Sequence, residues 1–385
     1  MMKQTAANPV STRWTNRMLI GLFMVSIWLP TFDVFFHFDH ARQPNEKRLL
    51  ATFPKLAPGV AGLRKYLAGL DAYFSDHFGC RKVLVSWNNK LKWKLFHDAN
   101  VRSALIGRDG WFFFAGDQMV EHERGVLQFT PGQLRDWRAL LERRRDWLAQ
   151  RGIKFLFVIA PDKASVYPDE LPAWMTKVRP ETKLDQFVAY MRANSTVEIL
   201  DLRGPLRAAR QTAPTYLKTD THWNLFGGFI GYQEIIKALS RQLPALKPLP
   251  LDAFEQKNVL RPGGNETVYL GISATESNAV VFTPKAGLPP LQMTANPLDL
   301  PDYSGPALTT NSQGTGSLIV FRDSFGNALE EFLGYNFAKV TYLWQYDLDA
   351  ARIDREKPDV LISEIYEQHF NVTDPRDLMR KDALP

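Results

Sequence analysis

Ser324, His222 and Asp220 are the side-chain types that nucleophilic acyl chemistry requires. Ser324 sits in Arg322-Asp323-Ser324-Phe325-Gly326-Asn327. An apolar run, Leu318-Ile319-Val320-Phe321, precedes that segment, and a helical pattern, Ala328-Leu329-Glu330-Glu331-Phe332-Leu333, follows it. The serine therefore falls on a strand-to-helix turn. Backbone N–H groups at a helix start lack intrahelical partners and point outward, so they can hold a developing oxyanion. One of them would be Ser324's own, and a donor of this kind is worth roughly 3–4 kcal/mol in a transition state. Serine and aspartate are also favoured helix caps, so position alone leaves a capping role open.

A serine hydroxyl is a weak nucleophile and needs a general base beside it. Thr219-Asp220-Thr221-His222-Trp223-Asn224 offers one. Asn224 is suited to cap the helical pattern that follows (Phe226, Phe229-Ile230, Ile235-Ile236, Leu239). That puts Asp220 and His222 in the loop just before a helix. Histidine has a suitable pKa for proton transfer, and Asp220 is near enough to hold one ring nitrogen and fix the tautomer. Half of a metal site and a plain surface loop are the competing readings. No companion cluster with ligand spacing is visible, so neither metal nor cofactor is expected. Cys80 follows His77 closely, but a small buried thiol is the simpler reading.

These residues need a scaffold. Thr130-Pro131-Gly132-Gln133 is a capping box with proline at the first helical position. Leu134, Trp137, Leu141 and Leu148 form its stripe, and Gly152 stops it. Five apolar runs read as strands: 155–160, 197–200, 318–321, 340–344 and 360–362. A helix is expected at 183–193. Apolar strands alternating with amphipathic helices imply α/β architecture, a parallel sheet of about five strands covered on both faces. Residues 245–310, rich in Pro, Gly, Asn and Thr, read as an irregular insertion with short strands, near the site or binding substrate.

The chain has 385 residues, 45% hydrophobic and 23% charged, with net charge +6 and a single cysteine. That is a globular composition, without basic runs or a nucleic-acid-binding motif. Fifteen uncharged residues, Met18 to Phe32, follow Lys3, Arg13 and Arg17. They read as an N-terminal transmembrane helix, an uncleaved signal anchor, with the amino terminus cytoplasmic and the remainder exported; a cleaved signal peptide is the rival reading. The expected division is 1–40 for the amino terminus and anchor and 41–105 for a membrane-proximal helical segment. Residues 106–385 would form the catalytic domain. In the second part, Leu63, Tyr66, Leu67, Leu70 and Tyr73-Phe74 recur at helical spacing, as do Val83, Trp87, Leu91 and Leu95.

Four segments in register give the chain a likeness. They are Gly107-Arg108-Asp109-Gly110-Trp111-Phe112-Phe113-Phe114, Ala160-Pro161-Asp162-Lys163-Ala164-Ser165-Val166-Tyr167-Pro168, Thr219–Asn224, and Arg322-Asp323-Ser324-Phe325. Together they resemble the alginate O-acetyltransferase family of AlgJ/AlgX type, with its SGNH-hydrolase-like domain. The resemblance implies an SGNH/flavodoxin-like three-layer sandwich. It implies Ser324 as nucleophile, His222 as general base and Asp220 as its orienter, with the Asp-x-His motif ahead of the serine. It implies acetylation of an exopolysaccharide in the periplasm by a single-pass inner-membrane protein. Expected partners are the polysaccharide acceptor, a multi-pass membrane acyltransferase that supplies acetyl groups, and other export proteins. Trp223, Trp344 and Tyr346 are candidates for a carbohydrate wall or for core. Two features depart from the family: Arg322 where hydrolase-type motifs often carry Gly, and Gln368 where a Glu-x-x-Glu-Arg pattern ends in Arg.

Overall fold

The computed structural model describes residues 9–36, 51–80, 83–84, 87–88, 91, 104–270, 272–289, 291–294, 307–382 and 384. The chain forms two compact units, Met1–Ala99 with Val268–Ile272, and Asn100–Thr267 with Ser273–Pro385.

In the first unit a helix runs Pro9–Phe36 and a second runs Gly59–His77. The second carries the 63–74 spacing, and its Leu63, Leu67 and Phe74 are exposed. Leu95, from the next expected stretch, lies outside the described residues. The expected transmembrane helix is corrected: among the described residues no helix is long and apolar enough to cross a membrane. Length is the reason. The uncharged stretch between Arg17 and Asp33 holds fifteen residues, whereas a span needs roughly 17–25. Asp33 does not sit at a watery interface either. It is buried and accepts the Cys80 N–H at 2.8 Å.

The second unit holds eleven strands among the described residues: β1 (Ala104–Ile106), β2 (Phe112–Phe114), β3 (Lys154–Ala160), β4 (Ile199–Asp201), β5 (Phe254–Pro262), β6 (Thr275–Pro284), β7 (Gln292–Thr294), β8 (Ala307–Thr310), β9 (Ser317–Arg322), β10 (Lys339–Trp344) and β11 (Val360–Tyr366). Five of them, in the order β4-β3-β11-β9-β10, pair in parallel. The expectation of a five-stranded parallel sheet needs correction. Antiparallel β8 and β7 extend the β10 edge, making a mixed sheet of seven strands. Both added strands are short and come from the irregular region, where no long apolar run announces a strand. The β5–β6 hairpin, of 9 and 10 residues, is longer than the short strands expected there.

Side chains alternate across a strand, so each parallel strand supplies two cores. Leu156 and Val158 of β3 join Leu318 and Val320 of β9 on one face. The helices Leu225–Ser240 and Asn327–Leu333 cover that face with Phe229, Tyr232, Ile235, Phe332 and Leu333. Phe155, Phe157 and Ile159, with Ile319 and Phe321, make the other. Trp137, Leu141, Phe187 and Phe370 cover it, from the helices Pro131–Ala149, Lys183–Asn194 and Glu367–Val372. Helix, sheet and helix make three layers. The Thr130 capping box is formed, with the Gln133 N–H on Thr130 Oγ1 at 3.2 Å and the Thr130 N–H on Gln133 Oε1 at 2.9 Å. Gly152 ends that helix at φ +75°.

Candidate active site

β9 lies between β11 and β10 and ends at Arg322. The chain then turns through Ser324–Gly326 into the Asn327–Leu333 helix. Open α/β sheets place ligands at the carboxyl ends of such strands. Asp323 takes the capping role: its Oδ1 accepts the Phe325 N–H at 2.8 Å. Ser324 is thereby released from capping, and its Oγ lies 2.7 Å from Nε2 of His222. No hydrogen bond among the described residues uses the Ser324 N–H.

His222 comes from the 219–224 loop. Tyr216 and Trp223 form an isolated antiparallel bridge, and the Leu217 N–H donates to the His222 carbonyl at 3.1 Å. Asn224 ends the loop as a cap, accepting the Gly227 N–H at 2.9 Å. Its amide donates to Pro214 O at 2.7 Å and Asn278 O at 2.8 Å. The Trp223 indole donates to Phe325 O at 3.0 Å and so ties the 219–224 loop to the Ser324 turn.

Asp220 Oδ1 lies 2.6 Å from His222 Nδ1 and accepts the His222 N–H at 3.1 Å. Its Oδ2 accepts the Asn265 N–H at 2.8 Å. Burial alone would raise the Asp220 pKa. The His222 ring and the two backbone donors outweigh it and hold the carboxyl well below the usual carboxylate range. An ionised carboxylate only accepts, so Nδ1 carries the proton and Nε2 presents its lone pair to the serine. The His222 side chain is 25% exposed and that of Asp220 13%. Solvent reaches the His222 ring, while the Asp220 carboxylate is the more sheltered of the two.

The insertion buttresses this loop. Glu276, on β6, accepts the Lys218 N–H at 3.0 Å and the Thr219 N–H at 2.7 Å. Its Oε2 also takes the Thr219 hydroxyl at 2.6 Å. Glu266 receives the Thr221 hydroxyl. Burial, with Asp220 nearby, pushes the Glu266 carboxyl up to about 7 against the pull of Lys163. Gly264 is required by contact: a Cβ there would lie 2.4 Å from Asp220 Cβ and 2.5 Å from its Oδ2. Lys163 closes the loop from the other side, donating from Nζ to Asp220 O at 2.7 Å and Leu217 O at 3.1 Å. Of these four residues the sequence singles out only Lys163, within the Ala160–Pro168 segment, and it gives none of them a role. A Gly-Gly-Asn run in a loop was the one visible signal; buried charges carry none.

Behind Ser324, Asp323 Oδ2 accepts the Tyr346 hydroxyl at 2.6 Å and the Tyr366 N–H at 2.7 Å. Burial raises the Asp323 carboxyl, but His369, Tyr346 and the Phe325 N–H bring it below its ordinary value. Glu364 accepts the Asp323 N–H at 3.1 Å. Burial, aided by Asp323, drives the Glu364 carboxyl well above its ordinary value. Arg322 does not enter the space where glycine would open room. Its guanidinium turns to Asn327 Oδ1 at 2.6 Å and to Glu330, and it lies 4.7 Å over the Trp344 ring. Gln368 donates to Phe114 O at 3.2 Å and to Asp162. Of the three candidate aromatics, Trp223 is core, Trp344 lies under Arg322, and Tyr346 braces Asp323. The acid-x-His spacing recurs at Glu367 and His369, but there Nδ1 meets the Tyr346 hydroxyl at 2.6 Å.

Residues 104–280 match a family model described as the SGNH hydrolase-like domain of acetyltransferase AlgX. The match contains Asp220 and His222 and ends before Ser324. Among curated proteins, "Probable alginate O-acetylase AlgJ" of Pseudomonas putida is 27% identical over 261 residues, 66% of this chain and 63% of that protein. Its namesake in Pseudomonas syringae pv. tomato is 25% identical over 215 residues, 56% of this chain and 53% of that one. The chain thus spans less than two thirds of the length of these relatives. Among solved structures, PatB1 of Bacillus cereus superposes with a TM-score of 0.53 at 17% identity, over 71% of this chain and 98% of that chain. That last likeness is one of fold.

Proposed function

Because the chain is of the AlgJ/AlgX-type family, we propose that it is an O-acetyltransferase that acylates a polysaccharide hydroxyl through an acyl-enzyme at Ser324. The observation that carries the reading is the continuous hydrogen-bonded line from Asp220 through His222 to Ser324. His222 Nε2 takes the hydroxyl proton as Ser324 Oγ attacks the acetyl carbonyl of a donor. The oxyanion that forms lies at the turn's backbone donors, among them the Ser324 N–H. Collapse expels the donor's leaving group, which receives the proton from His222 and leaves acetyl on Oγ. A sugar hydroxyl then enters, gives its proton to Nε2 and attacks the acyl carbon. Collapse of the second intermediate returns the proton to Ser324 and releases the acetylated sugar.

Relatives named as alginate O-acetylases support a polysaccharide acceptor. The proposal includes a periplasmic site, a multi-pass membrane acyltransferase as acetyl source, and company among export proteins. Incubation with an activated acetyl ester, with and without an oligosaccharide acceptor, tests the reaction class. Transfer predicts acetylated sugar and acyl-enzyme turnover that rises with acceptor. Acetate release that is indifferent to any acceptor would mark an esterase instead.

A further inference from the structure

The geometry points to Lys163 as a positioning residue that holds the Asp220–His222 loop in its working shape. Lys163 is 1% exposed, and the hydrogen bonds of its ammonium all go to one stretch of backbone. Nζ lies 2.7 Å from Asp220 O, 3.1 Å from Leu217 O and, at longer reach, 3.5 Å from Lys218 O. An ammonium has three donors and no acceptor, so the three carbonyls match its capacity. Nζ also sits 5.3 Å from the Phe113 ring centroid and 5.8 Å from that of Trp111, within the range where a ring face attracts a cation.

A buried cation is costly unless it is paired. Among the described residues Lys163 makes no ion pair within 4.0 Å. Burial lowers its pKa, and Glu266, Asp220, Glu276 and Asp162 act in the opposite direction. Its direct partners are carbonyls of the loop that carries the base and its orienter. Lys163 is the first residue of the Lys163–Val166 turn, whose cap Asp162 accepts the Ala164 N–H at 3.1 Å. Asp162 is in turn bonded to Glu367 through its N–H, at 2.8 Å. A rigid anchor from the end of β3 thus reaches the loop that must present His222 to Ser324.

An apolar replacement of similar length fills the space but leaves the three loop carbonyls without this donor, so some stability is lost whatever the role of the lysine. A positioning lysine should not tolerate that replacement in function. The test compares wild type with Lys163→Met in three readouts. These are the thermal midpoint, the rate at which phenylmethylsulfonyl fluoride labels Ser324, and the downfield proton NMR resonance of the His222 Nδ1–H. Lys163→Met is expected to melt below wild type yet remain folded at the assay temperature. It should label about 100-fold more slowly, the order of loss that a small misplacement of reacting groups produces. Its Nδ1–H resonance should broaden or move upfield. Should that variant fail to fold, Lys163→Gln, which keeps an amide donor, is expected to fold and label at an intermediate rate. Wild-type labelling and an unmoved resonance in a folded variant would overturn the inference. So would labelling that falls only in proportion to folded protein. The inference rests on the triad reading, but the resonance is read without substrate. A wild type that labels at Ser324 and transfers no acetyl would sink acetyl transfer and leave Lys163 standing.

Discussion

His222 Nε2 lies 2.7 Å from Ser324 Oγ although 102 residues separate them in the chain. The two arrive from different elements. One comes from a loop before the Leu225–Ser240 helix, the other from the turn after β9. The Trp223 indole on Phe325 O fixes the distance between them. Because Asp323 caps the turn, the serine hydroxyl has one hydrogen-bond partner among the described residues, the His222 ring.

Asp220→Asn tests the orienting carboxylate. The amide has nearly the same shape but favours the wrong imidazole tautomer. Such a change in a serine triad lowers kcat by about 10⁴-fold. Steady-state hydrolysis of an acetyl ester, with far-UV circular dichroism to confirm folding, measures it. A loss under tenfold would mean that Asp220 does not set the tautomer.

Gly264→Ala tests the close approach of the insertion to the site. The added Cβ would sit 2.4 Å from that of Asp220, a distance that van der Waals contact forbids. The Asp220 side chain must shift, so activity should fall about 100-fold while the protein stays folded. Wild-type turnover in this variant would show that the loop relaxes without consequence.

Arg322 faces Glu330 with 3% and 12% of their side chains exposed. Arg322→Met should therefore leave a partly buried carboxylate unpaired. The expected loss is about 3 kcal/mol of unfolding free energy, read from urea melts. Arg322→Met with Glu330→Gln together should recover part of that loss. A single variant as stable as wild type would contradict the pairing.

Stability should also respond to pH. Burial, with Glu367 beside it, pushes Asp162 up to about 7. Burial, with Glu123 beside it, does the same for Glu367. Unfolded, both would release protons near pH 4. Between about pH 4 and 7 the folded state thus binds more protons than the unfolded one, and these groups make stability fall as pH rises. Their stabilising contribution is whole below that window and gone above it. Asp220, held low, acts oppositely and loses its contribution as pH drops below the ordinary carboxylate range. Urea melts of wild type and Glu367→Gln at pH 5, 6, 7 and 8 should show a shallower decline in the variant; parallel curves would refute the assignment.

Four of the five parallel strands are legible as short apolar runs, the pattern of a strand buried on both faces, while β4 is a three-residue, partly buried edge strand. β7 and β8 are not, since Gln292–Thr294 is fully exposed and Ala307–Thr310 is only partly buried. The amino-terminal run is apolar enough to suggest a span, but Asp33 belongs to a buried contact with Cys80 rather than to an interface. At the site, Asp220, His222 and Ser324 are legible because their types are chemically demanding and each falls where an element ends. The Asp323 cap could not be separated from a Ser324 cap, because both residues suit that role. Lys163, Glu266 and Glu276 could not be assigned either. Charged side chains are expected at the surface, and only the folded arrangement reveals that these three brace one loop.

The most direct test of the account compares wild type with Ser324→Ala, each incubated with para-nitrophenyl acetate and an oligosaccharide acceptor. Peptide mass spectrometry follows acetyl on the protein and sugar analysis follows the product. The account predicts acetyl on the Ser324 peptide of wild type, acetylated sugar that depends on it, and neither in a folded Ser324→Ala protein. Acetylated sugar formed by Ser324→Ala at the wild-type rate would contradict it.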